Sequence, residues 1–360
     1  MEQPVTVNIN MAGDAVGGLT RENYRDIALY KGPRDFVALD LSDNTNLWGA
    51  PPAALRAVAA PSEKAVARYP IAYEPALAAA LAQYVGVSAD MIACGCGSDD
   101  VLDSAIRGFA QPGEVLALPD PSFSMIPVFA RTNGMVPVAV PLTASLEVDV
   151  DSIVETGARI IYLCTPNNPT GGALSRETVE QIVDRAPGLV IIDQAYVEFG
   201  GESFVDLASS GRPVLVTRTM SKAFGLAGLR IGYGIGAPEL IAEVLKARGP
   251  YKVSSLAERA AIAAVKTDQA WVTGHINDVV VNRARLRAEL KMRGISSLDS
   301  AANFVLVPIT DCVGVAAQLE SLGVRVRALP QLSGIGDAIR VAVGPLDMMQ
   351  RFLDALEEVA

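Results

Sequence analysis

Histidine is almost missing from this sequence: His275 is the single one in 360 residues. A Ser-His-Asp mechanism would hang on that imidazole alone. It lies in the polar helical stretch Gly274-His275-Ile276-Asn277-Asp278, where an exposed side chain is the plain expectation. Any enzyme here should therefore use another acid-base group. Cysteine is scarce as well. Cys94, Cys96, Cys164 and Cys312 are too few and too unevenly spaced for a disulfide framework. The Cys94/Cys96 pair lacks the second pair or nearby histidine that would complete a metal site. A reducing compartment is the simpler expectation. Positive charge is in deficit, with 30 Lys and Arg against 40 Asp and Glu. That balance argues against nonspecific partners such as nucleic acid or anionic lipid. No apolar run approaches the ~20 residues of a membrane span. The chain opens Met1-Glu2-Gln3 and has its first basic residue at Arg21, so a cytoplasmic protein is expected.

What the chain does have is apolar content, half of all residues, enough for a large core and roughly two domains. Residues 1–37 are polar and weakly periodic, an arm with one helix at about 21–30, of the kind that packs on a partner subunit. From Glu114 onward, apolar runs of strand length at 115–118, 136–140, 160–163, 189–192, 214–216 and 231–235 alternate with helical patterns. Runs buried on both faces and separated by helices indicate an α/β fold whose mostly parallel sheet lies between helix layers. Ligands of such sheets bind at the carboxyl ends of the strands. A helix from Pro238 to about Arg248 ends at Gly249-Pro250, where a domain boundary is expected. Residues 256–290 read as helical, with Arg283, Arg285 and Arg287 on a solvated face. Short strands at 304–307, 324–326 and 339–343 and a final helix from Leu346 read as a small α+β domain.

The chemistry sits where strands end. Residues 217–233, TRTMSKAFGLAGLRIGY, place Lys222 in a turn after an apolar strand, with hydroxyls at Thr219 and Ser221 and a guanidinium at Arg230. An amine of this kind condenses with a carbonyl, while hydroxyls and a guanidinium hold phosphate oxygens. Upstream, Gly95 and Gly97 lead through Ser98 and Asp99 into an amphipathic helix, whose first N–H groups would face an anion. Ser98 or Asp99 could equally be a simple N-cap. Asp193 closes a buried strand, where a carboxylate is costly without a partner.

Ser221-Lys222-Ala223-Phe224-Gly225, followed by Gly228-Leu229-Arg230-Ile231-Gly232, closely resembles the lysine segment of fold-type I pyridoxal 5'-phosphate (PLP) enzymes. The nearest type is the histidinol-phosphate aminotransferases, and the likeness runs from about Leu41 to the end. It implies a large domain with a seven-stranded, mostly parallel sheet, and a small α+β domain. The expected division is 1–50 for the arm and part of the small domain, 51–249 for the PLP domain and 250–360 for the small domain. By the same resemblance Lys222 carries PLP and acts as the base, and Asp193 keeps the pyridine nitrogen protonated. Tyr196 and Asn168, in Asn167-Asn168-Pro169-Thr170-Gly171, would bond the phenolic oxygen. Phe123 would stack on the ring. Gly97, Ser98, Asp99, Thr219, Ser221 and Arg230 would cradle the phosphate, joined by Tyr69 from the other subunit of a homodimer. Arg340 would take a donor carboxylate and Arg327 a substrate phosphate, with Tyr251 lining the same pocket. Asn44, Asn46 and Gly49 match the family's substrate turn, usually Asn-Glu-Asn-Pro, but Thr45 and Leu47 depart from it. The implied reaction moves an amino group from histidinol phosphate, or an aromatic or other amino acid, to a keto acid such as 2-oxoglutarate. A PLP decarboxylase or cyclising synthase is the alternative enzyme. A PLP-binding regulatory module is the alternative class, though no basic recognition segment precedes Leu41.

Overall fold

The architecture comes from a computed structural model that describes residues 19–25, 27–29 and 36–359. Its large sheet comprises β2 (Ile92–Cys96), β3 (Val115–Asp120), β4 (Val136–Pro141), β5 (Ile160–Cys164), β6 (Leu189–Asp193), β7 (Val214–Thr219) and β8 (Ile231–Ile235), after a short β1 (Leu39–Asp40). The spatial order is β2-β8-β7-β6-β5-β3-β4. β3 to β7 are parallel, and β8 alone runs against both of its neighbours. All six apolar runs of the sequence lie in this sheet. The seventh strand, β2, is the glycine-bearing segment before Gly97, whose weak strand character is offset by pairing with β8.

Alternation within the strands divides the core into two layers. Ile161, Leu163, Val190 and Ile192 pack with Val179, Ile182 and Val183 of the helix Arg176–Arg185. Ile160, Tyr162, Leu189 and Ile191 pack on the other face with the helices Ser98–Phe109 and Pro238–Arg248. Both faces are covered, so β5 and β6 are buried at every position.

The smaller sheet joins β9 (Phe304–Pro308), β11 (Arg327–Leu332) and β12 (Gly336–Ala342) in the antiparallel order β11-β12-β9. β1 pairs in parallel with β10 (Val324–Arg325), which ties residues 39–40 to this part of the molecule. The final helix is Leu346–Val359.

Three expectations need correction. Of the helix expected at 21–30, the described residues show a 3-10 turn, Glu22–Tyr24, without a side-chain cap; residues 1–18, 26 and 30–35 of the arm lie outside the described residues. The helical reading of 256–290 itself holds, as two helices, Ser255–Thr267 and Gln269–Met292, divided at Asp268, whose carboxylate accepts from Ala53 N at 2.6 Å. Within the second helix, Arg283 turns inward to donate to the carbonyls of Ala302 (2.6 Å) and Phe199 (3.3 Å). His275 is likewise half-buried, stacked on Trp48 and edge-on to Trp271. No described helix is long and apolar enough to cross a membrane.

Candidate active site

A cavity of about 560 Å³ opens at the carboxyl ends of β5, β6 and β7 and is closed from the opposite side by β11 and β12. It gathers Lys222, Asp193, Tyr196, Asn168, Phe123 and Asn44 with Arg327 and Arg340. Gly97, Ser98, Asp99, Thr219, Ser221 and Arg230 line its other end.

Asp193 ends β6, 3% exposed, between Cys164 of β5 and Thr217 of β7 in register. Its Oδ2 accepts from the Tyr162 hydroxyl at 2.8 Å and its Oδ1 from Ala195 N at 3.1 Å. No lysine or arginine pairs with it among the described residues. Burial pushes its carboxyl up to about 6, against the pull of the Tyr162 hydrogen bond. Tyr162 was not singled out in the sequence. Its signal was a hydroxyl inside an otherwise hydrocarbon strand, Ile160-Ile161-Tyr162-Leu163.

Lys222 sits in the turn after β7, its Nζ donating to the Asp43 carbonyl at 2.9 Å and lying 5.8 Å from the Tyr196 ring centroid. Enclosure by its neighbours, then the nearby Arg340 cation, pushes the amine down to about 8. Burial raises the Tyr196 phenol to about 12, although Arg340 and an Asn44 hydrogen bond oppose the rise.

At the anion end, Gly97 adopts φ +81, and an added Cβ would meet Arg230 Nη2 at 2.7 Å. Glycine therefore lets the backbone and the guanidinium close together at the start of the helix Ser98–Phe109. Arg230 pairs with Asp99 at 3.3 Å, both about half exposed. Ser221 N donates to Thr219 Oγ1 at 3.1 Å, which sets the hydroxyls of the turn.

On the other side, Arg327 and Arg340 are register partners on β11 and β12 and so share one face. Arg340 donates to Asn168 Oδ1 (2.5 Å) and to the Ser42 carbonyl (2.7 Å), and its guanidinium lies over the Phe304 ring.

The turn at residues 42–49 clasps the two halves together. Asn44 Nδ2 donates to Tyr196 OH at 3.2 Å, and Asn46 Nδ2 donates to the Ala223 carbonyl beside Lys222 at 3.0 Å. From the other half, Asn303 donates to the Asn44 carbonyl at 3.0 Å. Thr45 faces the cavity, whereas Leu47 packs into space that any side chain at Gly344 would fill. The second departure from the family's turn is thus a packing solution.

Two expected residues stand outside. Tyr69 and Tyr251 stack on each other at 5.1 Å, 84% and 48% exposed, and neither lines the cavity of this chain. For Tyr251 this corrects the expectation. The turn after Gly249-Pro250 leaves its backbone left-handed, at φ 62, with the ring against Tyr69.

Comparisons with known proteins identify the family and the fold. The chain is 39% identical over 338 residues to the histidinol-phosphate aminotransferase of Roseiflexus castenholzii, covering 89% of this chain and 90% of that protein. It is 37% identical over 349 residues to that of Roseobacter denitrificans, covering 92% and 95%. A solved histidinol-phosphate aminotransferase from Sinorhizobium meliloti, in complex with pyridoxal-5'-phosphate, superposes with a TM-score of 0.84 at 25% identity over 97% of this chain and 98% of that one. The family model described as aminotransferase class I and II matches residues 36–356, and the chain belongs to that family.

Proposed function

We propose that this enzyme, a PLP-dependent aminotransferase, takes histidinol phosphate as amino donor and a keto acid such as 2-oxoglutarate as acceptor. The observation that carries the reading is one cavity holding Asp193, buried and without a cationic partner among the described residues, together with Lys222, whose amine is pushed down to about 8. A protonated ring nitrogen suits that carboxylate, and the Gly97 cradle beside Arg230 suits a phosphate. The residues present therefore fit PLP.

PLP supplies a carbonyl that takes up the donor's nitrogen and a ring that accepts electrons from its α-carbon. Asp193 holds the proton on the ring nitrogen. Lys222 Nζ would be the base that takes the proton from the donor's amine-bearing carbon and delivers it to the cofactor's carbonyl carbon, a role suited to an amine whose pKa lies near neutrality. Tyr196 and Asn168 bond the phenolic oxygen, and Phe123 stacks on the ring. Ser98, Asp99, Thr219, Ser221 and Arg230 surround the cofactor phosphate. Arg327 and Arg340, side by side on one face, form a doubly basic wall for the phosphate of the donor or the carboxylate of the acceptor. No step needs a histidine.

We also place a second copy of the chain over the stacked Tyr69 and Tyr251, with Tyr69 reaching the neighbouring cofactor phosphate. Val66, Tyr69 and Ile71 are 68%, 84% and 69% exposed, an apolar surface that a partner would cover. Four free cysteines suit a reducing, cytoplasmic setting.

The test is a single-turnover absorbance scan of PLP-loaded protein, without keto acid, against histidinol phosphate, phenylalanine and other amino donors. Conversion to pyridoxamine phosphate by histidinol phosphate at the lowest concentration supports the reading. Preference for an unphosphorylated donor would overturn the substrate, and decarboxylated or cyclised product would overturn the reaction.

A further inference from the structure

Most of what surrounds Asp193 is poorly suited to a negative charge. Burial disfavours it, the Asp99 carboxylate faces it from the first turn of the helix Ser98–Phe109, and the Cys164 thiol and Tyr196 phenol stand close by. Thr217 of β7 is its register neighbour, while Ala195 N and the Tyr162 hydroxyl donate to its two oxygens. The first of these donors is backbone and comes with the turn. The second is a choice of side chain.

Tyr162 is 1% exposed, on a strand whose preceding and following residues are Ile160, Ile161 and Leu163. Phenylalanine would fill the same space without burying a hydroxyl, and a buried hydroxyl costs free energy unless it is bonded. The Tyr162 hydroxyl donates to Asp193 Oδ2 at 2.8 Å, with the Cys164 thiol its other polar neighbour. Burial and the charge of Asp193 hold the phenol well above its ordinary range, so it remains a donor at every physiological pH.

We infer that Tyr162 is a positioning residue of this site, whose hydroxyl keeps Asp193 in its ionised form so that the proton shared with a bound pyridine nitrogen stays on the ring. The sign follows from the bond. A donor to the carboxylate favours the charged form, and its removal leaves burial opposed only by the weaker pull of Ala195 N and Thr217. The proton then moves from the ring nitrogen to Asp193 Oδ2, and the ring accepts electrons less well. The consequence for catalysis rests on the PLP aminotransferase reading; the effect on Asp193 does not.

The test uses the full chain freed of cofactor, with ¹³C-carboxyl aspartate, the Asp193 signal being the one lost in Asp193→Asn. Asp193 should titrate near 6 in the unaltered protein. In Tyr162→Phe the midpoint should rise by about one to two pH units. With 3-fluorotyrosine at position 162, a stronger donor of nearly the same shape, it should fall. In the PLP-loaded Tyr162→Phe enzyme, kcat should drop about tenfold while KM for the donor stays within about twofold. An Asp193 midpoint unmoved by either replacement overturns the inference, and the fluorinated protein decides alone if the phenylalanine variant does not fold. If the midpoint moves but no donor is converted, the coupling stands and the aminotransferase reading falls.

Discussion

The two walls of the cavity hold their polar and charged groups in different ways. On the large-sheet wall, Asp193 and Thr219 are fixed by strands, buried, and flanked by neighbours in register. Asp193 is additionally bonded by Tyr162 and Ala195. On the small-sheet wall, Arg340 is steadied from outside its own sheet, by Asn168 across the cavity and by the Ser42 carbonyl. The first wall is organised before any ligand arrives, as electrostatic catalysis requires. The second depends on bonds that bridge the two halves, so it can adjust to a donor and then to an acceptor.

The comparison is broken most severely at Lys222. Lys222→Ala should lower turnover by about ten-thousandfold, the upper end for a general acid-base group, while PLP still binds the other residues of its wall. Retained multiple-turnover transamination would remove the large-sheet wall from the chemistry. Next in size is Arg340→Met, expected to cut kcat/KM by roughly a hundredfold or more, because Asn168 loses a charged partner along with the substrate anion. Arg340→Lys should recover little, since a point charge cannot reproduce the two-armed contact to Asn168 and Ser42.

A smaller effect separates the two arginines. Arg327→Ala should raise KM for histidinol phosphate about tenfold with kcat unchanged, as for loss of one charged hydrogen bond, and should leave unphosphorylated donors alone. An equal rise for both kinds of donor would show that the small-sheet wall does not read phosphate.

The smallest effect tests whether the walls feel each other. The Lys222 amine, pushed down to about 8, is an ammonium below that pH and free above it. PLP capture by the cofactor-free protein should therefore slow about tenfold per pH unit below 8 and level off above. In Arg340→Met the midpoint should move up, because the Arg340 cation is the second cause of the depression after burial. An unchanged midpoint would mean that the walls are electrostatically independent.

Much of this was legible in the sequence. The turns after 160–163, 189–192 and 214–216 each carry a group that lines the cavity, because parallel strands deliver their carboxyl ends to one edge. β2 was not legible, since its glycines hide a strand that only pairing with β8 maintains. His275 read as exposed because a polar stretch gives no sign of Trp48, more than two hundred residues away, folding over it. Tyr251 was expected to line the pocket, yet its ring lies outside the cavity of this chain, stacked on Tyr69.

The sequence by itself determined the kind of sheet, the order of its motifs and the identity of the groups at the strand ends. These are local properties: apolar runs, glycine turns, and polar residues placed where a strand must stop. Tertiary structure alone decided which groups hold the reactive ones in place. The Ser42 carbonyl meets Arg340 across 298 residues, Asn303 meets Asn44 across 259, and Tyr162 meets Asp193 from the neighbouring strand. A hydrogen bond between distant residues leaves no periodic trace in a chain. It exists only once packing has brought donor and acceptor within reach and removed the water that would otherwise satisfy them.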